Sequence, residues 1–332
     1  MPTISDSPPA DTRAELTALR RHLSAEIPKK RDDNLLIATW NIRELGGLTD
    51  KWRSDAKDVP KRDLHSLACI AEIVSRFDVV AIQEVQADIR ALRHMLKALG
   101  DGYTVILTDA VEDDEGDNER LAFVFDQERL SVSGLACELV VPLNWSTKRK
   151  PKNGIPQIAL ERQFARTPYA VAFRRNGATF ILITLHVIWS GTSAQDLGER
   201  EKELTSIAAW LRSWAEDANS WDQNLICLGD FNIDRHEGEL WQAFTSTGLT
   251  VPEPIARPRV VGGKPLKGFY DQIAWFTEDK AGERPLLALT FTGEAAMFDW
   301  SKTVLADSGL TSSQKSFRIS DHYPLWAEFS TD

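Results

Sequence analysis

Four short apolar runs, each of strand length and each ending in a polar cluster, constrain this chain more than any other feature. Residues 35–40 run into Asn41, residues 79–82 into Gln83 and Glu84, residues 181–185 into His186, and residues 225–229 into Asp230 and Asn232. Apolar runs of this length read as buried strands, and polar groups at the carboxyl ends of neighbouring strands converge on one crevice. Helical spacing lies between them. Leu64, Leu67, Ile70, Val74 and Phe77 recur at helical intervals, residues 90–99 form a second amphipathic stretch, and residues 196–216 form a longer one. Further strands are expected over residues 103–107, 121–125, 131–141, 169–173, 271–276, 286–292 and 323–329, with a polar loop over 49–63. Strands interleaved with helices, with no internal repeat, favour one domain of stacked sheets and helices over residues 34–330.

Residues 1–33 read as an extension. The first ten are rich in Pro, Ser and Asp and are expected to be disordered; Thr12 and Glu15 have capping-box spacing for a short helix. Leu16, Leu19 and Leu23 share one face of it, which suits docking on the main domain, and residues 29–33 read as a charged linker. No run approaches the length of a membrane span and the first thirty residues lack a signal peptide's apolar stretch, so the cytoplasm is the default location. The three cysteines, Cys69, Cys137 and Cys227, are too scattered for a disulfide framework or a thiolate metal site. A net charge of −10 argues against a protein that coats nucleic acid by bulk attraction, but not against a nuclease with segregated charge.

Taken singly, an Asp or Asn after a strand is a turn or cap residue, and a lone Glu is a solvated strand end. Their joint occurrence with Ser320, Asp321 and His322 at the opening of the last strand points to a site. Carboxylate and amide oxygens suit Mg²⁺, Mn²⁺ or Ca²⁺ better than zinc. His186 and His322 supply groups that carry protons near neutral pH.

The segments Thr39-Trp40-Asn41-Ile42-Arg43, Ile82-Gln83-Glu84-Val85, Glu119-Arg120, Thr184-Leu185-His186, Gly229-Asp230-Phe231-Asn232, Tyr270-Asp271 and Ser320-Asp321-His322-Tyr323-Pro324 occur in that order. Together they resemble the motif set of the endonuclease/exonuclease/phosphatase superfamily, in its deoxyribonuclease I-like branch. The resemblance spans residues 34 to 330 and implies a four-layer sandwich of two mixed β-sheets flanked by helices. It implies that Glu84 is the main metal ligand, helped by Asn41 and Asp321, with Mg²⁺ as the expected ion and Mn²⁺ or Ca²⁺ as alternatives. Asp230 and Asn232 would orient the phosphate, the nucleophilic water or a second metal. His186 with Glu119, and His322 with Asp271, would form the acid and base pair, and Arg166 would hold the scissile phosphate together with Asn41.

These roles make physical sense. An attacking hydroxide is repelled by an anionic phosphodiester until cations offset its charge, and a carboxylate behind an imidazole fixes its tautomer and raises its basicity. The expected chemistry is in-line attack by water deprotonated at His322, with His186 protonating the leaving oxygen. DNA is the expected substrate, because the motifs match the deoxyribonuclease branch.

Some positions depart from that branch. Gln86 stands where minor-groove binders carry arginine, Asp117 replaces a tyrosine within the acidic stretch 112–119, and Arg166 is followed by Thr167 rather than Glu. Arg43, Tyr270, Lys148, Arg149, Lys150 and Lys152, with Trp145, are candidate nucleic-acid contacts, as is the loop carrying Lys51, Trp52, Arg53 and Lys57. Solvated loops are the alternative reading for both basic segments, and Trp145 and Trp189 fit either core or rim. Two other functions stay open: a phosphoesterase acting on a lipid headgroup or small phosphoester, and a silent binding module. The second would have lost a ligand or a histidine, and all are present.

Overall fold

The computed structural model describes residues 2–110, 118–141, 164–189, 191–217, 219–261 and 263–331. Helix α1 spans Ala10–Glu26, followed by strand β1 (Asn34–Leu45), α2 (Leu64–Val74), β2 (Val79–Gln86), α3 (Arg90–Leu99), β3 (Tyr103–Leu107) and β4 (Glu119–Asp126). Strands β5 (Ser131–Glu138), β6 (Tyr169–Arg175) and β7 (Ala178–His186) lead to the long helix α4 (Ala194–Glu216) and β8 (Leu225–Asp230). Short helices α5 (Glu239–Thr245) and α6 (Glu253–Ala256) precede a small hairpin of β9 (Val260–Val261) and β10 (Lys264–Pro265). The chain then forms β11 (Asp271–Trp275), β12 (Thr290–Met297), a 3₁₀ turn at Trp300–Lys302, α7 (Ser312–Ser316) and β13 (Leu325–Ser330).

Two mixed sheets stack face to face. The first has the order β12-β13-β1-β2-β4-β3 and the second β11-β8-β7-β6-β5. Strand alternation explains the layering. In β1, Leu35 and Ile37 join the core shared with the second sheet, whereas Leu36, Ala38 and Trp40 join the core beneath α1, α2 and α3. On the far side, Leu204, Ile207, Ala208 and Leu211 of α4 pack on the second sheet. The result is the helix–sheet–sheet–helix sandwich expected from the sequence.

Each sheet contains one parallel pair, β1 with β2 and β7 with β8, and antiparallel strands complete it. This pattern places the functional residues at one edge. The parallel pairs bring Asn41, Glu84, His186 and Asp230 to that edge at their carboxyl ends. Antiparallel partners then arrive there at their amino ends: Glu119 is paired with Gln86, Asp271 with Asp230, Tyr169 with Thr184, and Leu325 with Thr39. Gly229 is required at this edge, because at its φ of +147° an added Cβ would lie 2.1 Å from the Leu185 carbonyl oxygen.

The N-terminal segment departs from expectation. Helix α1 starts at Ala10, so Thr12 lies inside its first turn with a buried, unpaired hydroxyl, and it is not a cap. The Glu15 carboxylate accepts from the Leu305 amide at 3.0 Å and lies 2.9 Å from His65 Nε2. Residues 2–9 are not a loose tail: Ile4 is buried in the same core as Leu16, Leu19 and Leu23. Residues 29–33 are tied down as well, with Lys30 on Tyr103 and Asp126 and Arg31 on Glu328. Strand β12 begins four residues later than expected, because Leu286 and Leu289 enter the core from an irregular segment. No helix among the described residues is long and apolar enough to cross a membrane.

Candidate active site

The strand ends enclose an open cleft of about 580 Å³. Its floor is polar and tightly bonded. Asn41 Nδ2 donates to Glu84 Oε1 at 2.8 Å and to Asp230 Oδ2 at 2.9 Å, which binds the first sheet to the second. Beneath it, Gln83 Nε2 donates to Thr184 Oγ1 across the sheets at 2.9 Å and to Thr39 Oγ1 at 3.1 Å. The register of β2 shifts against both neighbours at this point, and Glu84 adopts a φ of +61°. Such bulges re-aim a side chain, and a left-handed glutamate costs roughly 1 kcal/mol or more that surrounding contacts must offset. One such contact is the Glu44 amide, which donates to Glu84 Oε2 at 2.9 Å.

Two imidazole–carboxylate pairs face the cleft. His322 Nδ1 lies 2.9 Å from Asp271 Oδ2, and His186 Nδ1 lies 3.1 Å from Glu119 Oε2. Both rings turn Nε2 toward the same atom, Asp230 Oδ2, at 3.7 Å from His322 and 3.8 Å from His186. Burial works against charge on His322, yet Asp271 and Asp230 outweigh it and raise its pKa to about 10. Burial would likewise raise Asp230 and Glu119. The two imidazoles hold Asp230 below the usual carboxylate range, and His186 and Arg166 do the same for Glu119. Arg166 Nε contacts Glu119 Oε2 at 2.5 Å.

The remaining sequence candidates fall around this centre. Asn232 is fixed by its amide donating to Val187 O at 2.7 Å, and its backbone N–H donates to Asp230 Oδ1. Arg43 and Asp321 form one wall as an ion pair at 3.4 Å, and Tyr270 stands on another. Asn41 and Asp271 are buried behind the cleft. Lys148, Arg149, Lys150, Lys152 and Trp145 lie outside the described residues. In the second basic loop, Lys51 is paired with Asp55 and Asp58, Arg53 with Asp11, and Trp52 packs against the core near α1; none of these lines the cleft.

Three supporting residues escaped the sequence reading. Arg62, 2% exposed, donates to the carbonyls of Arg43, Glu44, Arg318 and Ile319, fastening the loop after β1 to the segment before His322. Burial lowers its pKa to about 10. Arg200 donates to the Asn232 carbonyl at 3.2 Å, and Trp300 Nε1 donates to the His322 carbonyl. Trp189 proves to be a rim aromatic.

The donor set fits a hard divalent cation. Glu84, Glu119 and His186 bring ligating atoms within 4.8 Å of one another, as do Asp230, Asp271 and His322. Asn41 Oδ1 is buried and lacks a hydrogen-bond partner, which a cation beside Glu84 would supply. Asp321 belongs to neither group and is half exposed on the wall.

A two-sheet sandwich carrying paired carboxylates and imidazoles at one edge presents the groups that acid–base hydrolysis uses. The chain belongs to the Endonuclease/Exonuclease/phosphatase family, whose model matches residues 38–322. No curated protein matches it by sequence. Solved structures share its fold. An endonuclease/exonuclease/phosphatase family protein from Bacteroides thetaiotaomicron has a TM-score of 0.55 at 16% identity, covering 91% of this chain and 99% of that one. A mannosyl-6-phosphatase from the same organism has a TM-score of 0.52 at 16% identity, with coverages of 89% and 99%. D. rerio TDP2 complexed with a single strand DNA product has a TM-score of 0.52 at 14% identity, with coverages of 90% and 99%.

Proposed function

We propose that this protein is a divalent-metal-dependent phosphodiesterase that cuts DNA. The observation that carries the reading is the approach of two carboxylate-backed imidazoles to one oxygen, Asp230 Oδ2, at nearly equal distance. In-line displacement at phosphorus needs a proton acceptor for the entering oxygen and a donor for the leaving one, and two such dyads supply both. Glu84 and Asn41 would hold the cation, with Asp230 at its side; when bound it would neutralise phosphate charge and polarise the phosphoryl oxygen. Arg166, which lines the cleft beside Glu119, would pair with a phosphate oxygen. Asp230 and Asn232 orient the water.

His322 is the proposed base. Asp271 fixes its tautomer so that Nε2 faces the cleft; with a cation bound beside Asp230, the carboxylate charge that otherwise keeps the ring protonated would be offset, and Nε2 would be free to accept the proton of the water. His186, backed by Glu119, is the proposed acid. DNA is preferred because the strand-end motifs follow the deoxyribonuclease branch. The mannosyl-6-phosphatase of the same fold keeps a small phosphoester as the second reading.

The test is cleavage of supercoiled plasmid, single-stranded DNA and RNA with Mg²⁺ or Mn²⁺, against EDTA and a Glu84→Ala/His322→Ala double variant. Metal-dependent nicking that the variant loses supports the reading. A folded protein that cleaves no nucleic acid but hydrolyses a sugar phosphate would replace DNA with the second substrate class.

A further inference from the structure

Among the described residues that line the cleft, Trp189 is an exposed large apolar side chain, 48% exposed. Behind the wall residue Arg43, Phe317 lies under the guanidinium, which is 3.9 Å from its ring centre, and is 43% exposed. Exposure alone marks nothing, since Trp221 is 65% exposed away from the cleft; Trp189 differs in lining the cleft that holds both imidazoles. The Trp189 ring is also held in place. The Arg200 guanidinium lies 4.4 Å from its centre, and Arg200, itself 1% exposed, is anchored on the carbonyls of Asn232 and Gly191.

The indole leads directly to the chemistry. Its ring centre is 5.8 Å from that of Tyr270 in an edge contact, and Tyr270 is 6.0 Å from the His322 ring. Aromatic surface therefore runs from the rim to the proposed base, within reach of the nucleotide whose phosphate reacts there.

We propose that Trp189 forms a stacking platform for an unpaired base beside the scissile phosphate, with Tyr270 set edge-on at 72° between it and His322, so that the substrate is a single strand or an opened end and not an intact duplex. This rests on the phosphodiesterase reading above. In a duplex both faces of a base are covered and only its edges are offered, so an indole face has nothing to stack on. An unstacked base presents a free face, on which an aromatic side chain stacks whatever the base. The cleft walls agree. The side chains of Glu44 and Asp321 stand 64% and 51% exposed and share one cation, Arg43, at 3.6 and 3.4 Å, so this wall keeps a net negative charge that disfavours the phosphates of a second strand. Arg43 between them is already paired with Asp321 and stacked on Phe317.

Three substrates test the platform in the presence of Mg²⁺ or Mn²⁺: a labelled single-stranded oligodeoxynucleotide, its blunt duplex, and the same strand with a tetrahydrofuran abasic residue at a mapped cleavage position. The wild-type protein should prefer the single strand over the duplex by about tenfold or more in kcat/KM, and lose about tenfold beside the abasic residue. Trp189→Ala should raise KM for the single strand about tenfold with kcat changed far less, and should no longer sense the missing base. Trp189→Phe should restore most of the affinity. Trp221→Ala, which removes an exposed tryptophan outside the cleft, should match wild type. Equal cleavage of the duplex, or indifference of the wild type to the abasic residue, overturns the platform. Hydrolysis of bis(p-nitrophenyl) phosphate, which has no base, separates the two claims. If it persists while base dependence is absent, the platform alone fails; if neither it nor any oligonucleotide is cut, the phosphodiesterase reading fails with it.

Discussion

Trp40 and Trp300 donate from their indole nitrogens to one acceptor, the backbone carbonyl of His322, each at 3.1 Å. Trp40 comes from β1, and Trp300 from the 3₁₀ turn, where it also stacks on Tyr323 at 5.3 Å. Two rigid, buried side chains thus fix the backbone that aims the imidazole. Helix α1 braces the same turn through Glu26 to Lys302 at 3.0 Å and His22 to Thr303 at 2.8 Å. Replacing Trp300 by Phe removes one donor and is predicted to lower kcat about tenfold with a smaller change in KM. It should cost about 1–2 kcal/mol of stability, since the carbonyl keeps its other donor. Steady-state kinetics and urea unfolding of the variant read both numbers; an unchanged kcat would show that Trp40 alone aims His322.

Asp271 faces His322 Nδ1 and is a leading reason that its proton affinity is raised. Asp271→Asn keeps the shape but loses the charge, so the imidazole pKa is predicted to fall from about 10 toward its ordinary value, and kcat to fall about 10²- to 10⁴-fold. NMR titration of the ring in EDTA measures the first effect. An unchanged titration would falsify the assignment of Asp271 as the electrostatic partner.

Glu84 is the proposed cation ligand and also spends strain on its left-handed backbone. EDTA is predicted to abolish hydrolysis. Glu84→Gln should raise the Mg²⁺ concentration for half-maximal activity by about tenfold or more, because a neutral amide replaces the charged ligand. A metal titration of activity checks it, and an unaltered midpoint moves the ligand role to another carboxylate.

The Glu15 contact yields a pH prediction away from the site. Burial alone would raise this carboxyl, but its bond to His65 and the Leu305 amide hold its pKa below 4.5 in the folded protein. The unfolded chain therefore takes up the proton first as pH falls. The stability that Glu15 contributes is full above the unfolded value, and is lost as pH drops through the lower folded value. Urea midpoints of Glu15→Gln and wild type should differ most at neutral pH and draw together on acidification below 4.5. A difference constant with pH would mean that packing, not charge, carries the contact.

Much of this architecture was legible because the strands that matter are short apolar runs ending in chemistry. Asn41, Glu84, His186 and Asp230 could be placed at strand ends from the chain alone, and strand pairing brings them to one edge. What stayed hidden depends on partners remote in sequence. Arg62 sits in a polar loop with nothing to mark it, since its carbonyl partner at Arg318 is 256 residues away. Arg200 and Trp300 are silent for the same reason, with partners 32 and 22 residues away. Thr12 misled because a Ser/Thr-x-x-Glu pattern marks a cap only when nothing competes for the glutamate, and His65 does. Strand β12 was displaced because it is an edge strand of mainly small and polar residues, while the apolar residues before it fill the core without forming a strand.

Each imidazole draws its carboxylate from the opposite sheet. His186 ends β7 of the second sheet and faces Glu119 of the first; His322 enters β13 of the first and faces Asp271 of the second. Neither sheet alone can present a complete proton relay, and Asn41 reaches both Glu84 and Asp230 only when the layers are in contact. The complete site is therefore an all-or-none property of the assembled sandwich. A nascent or partly melted form with one sheet intact holds neither imidazole–carboxylate pair.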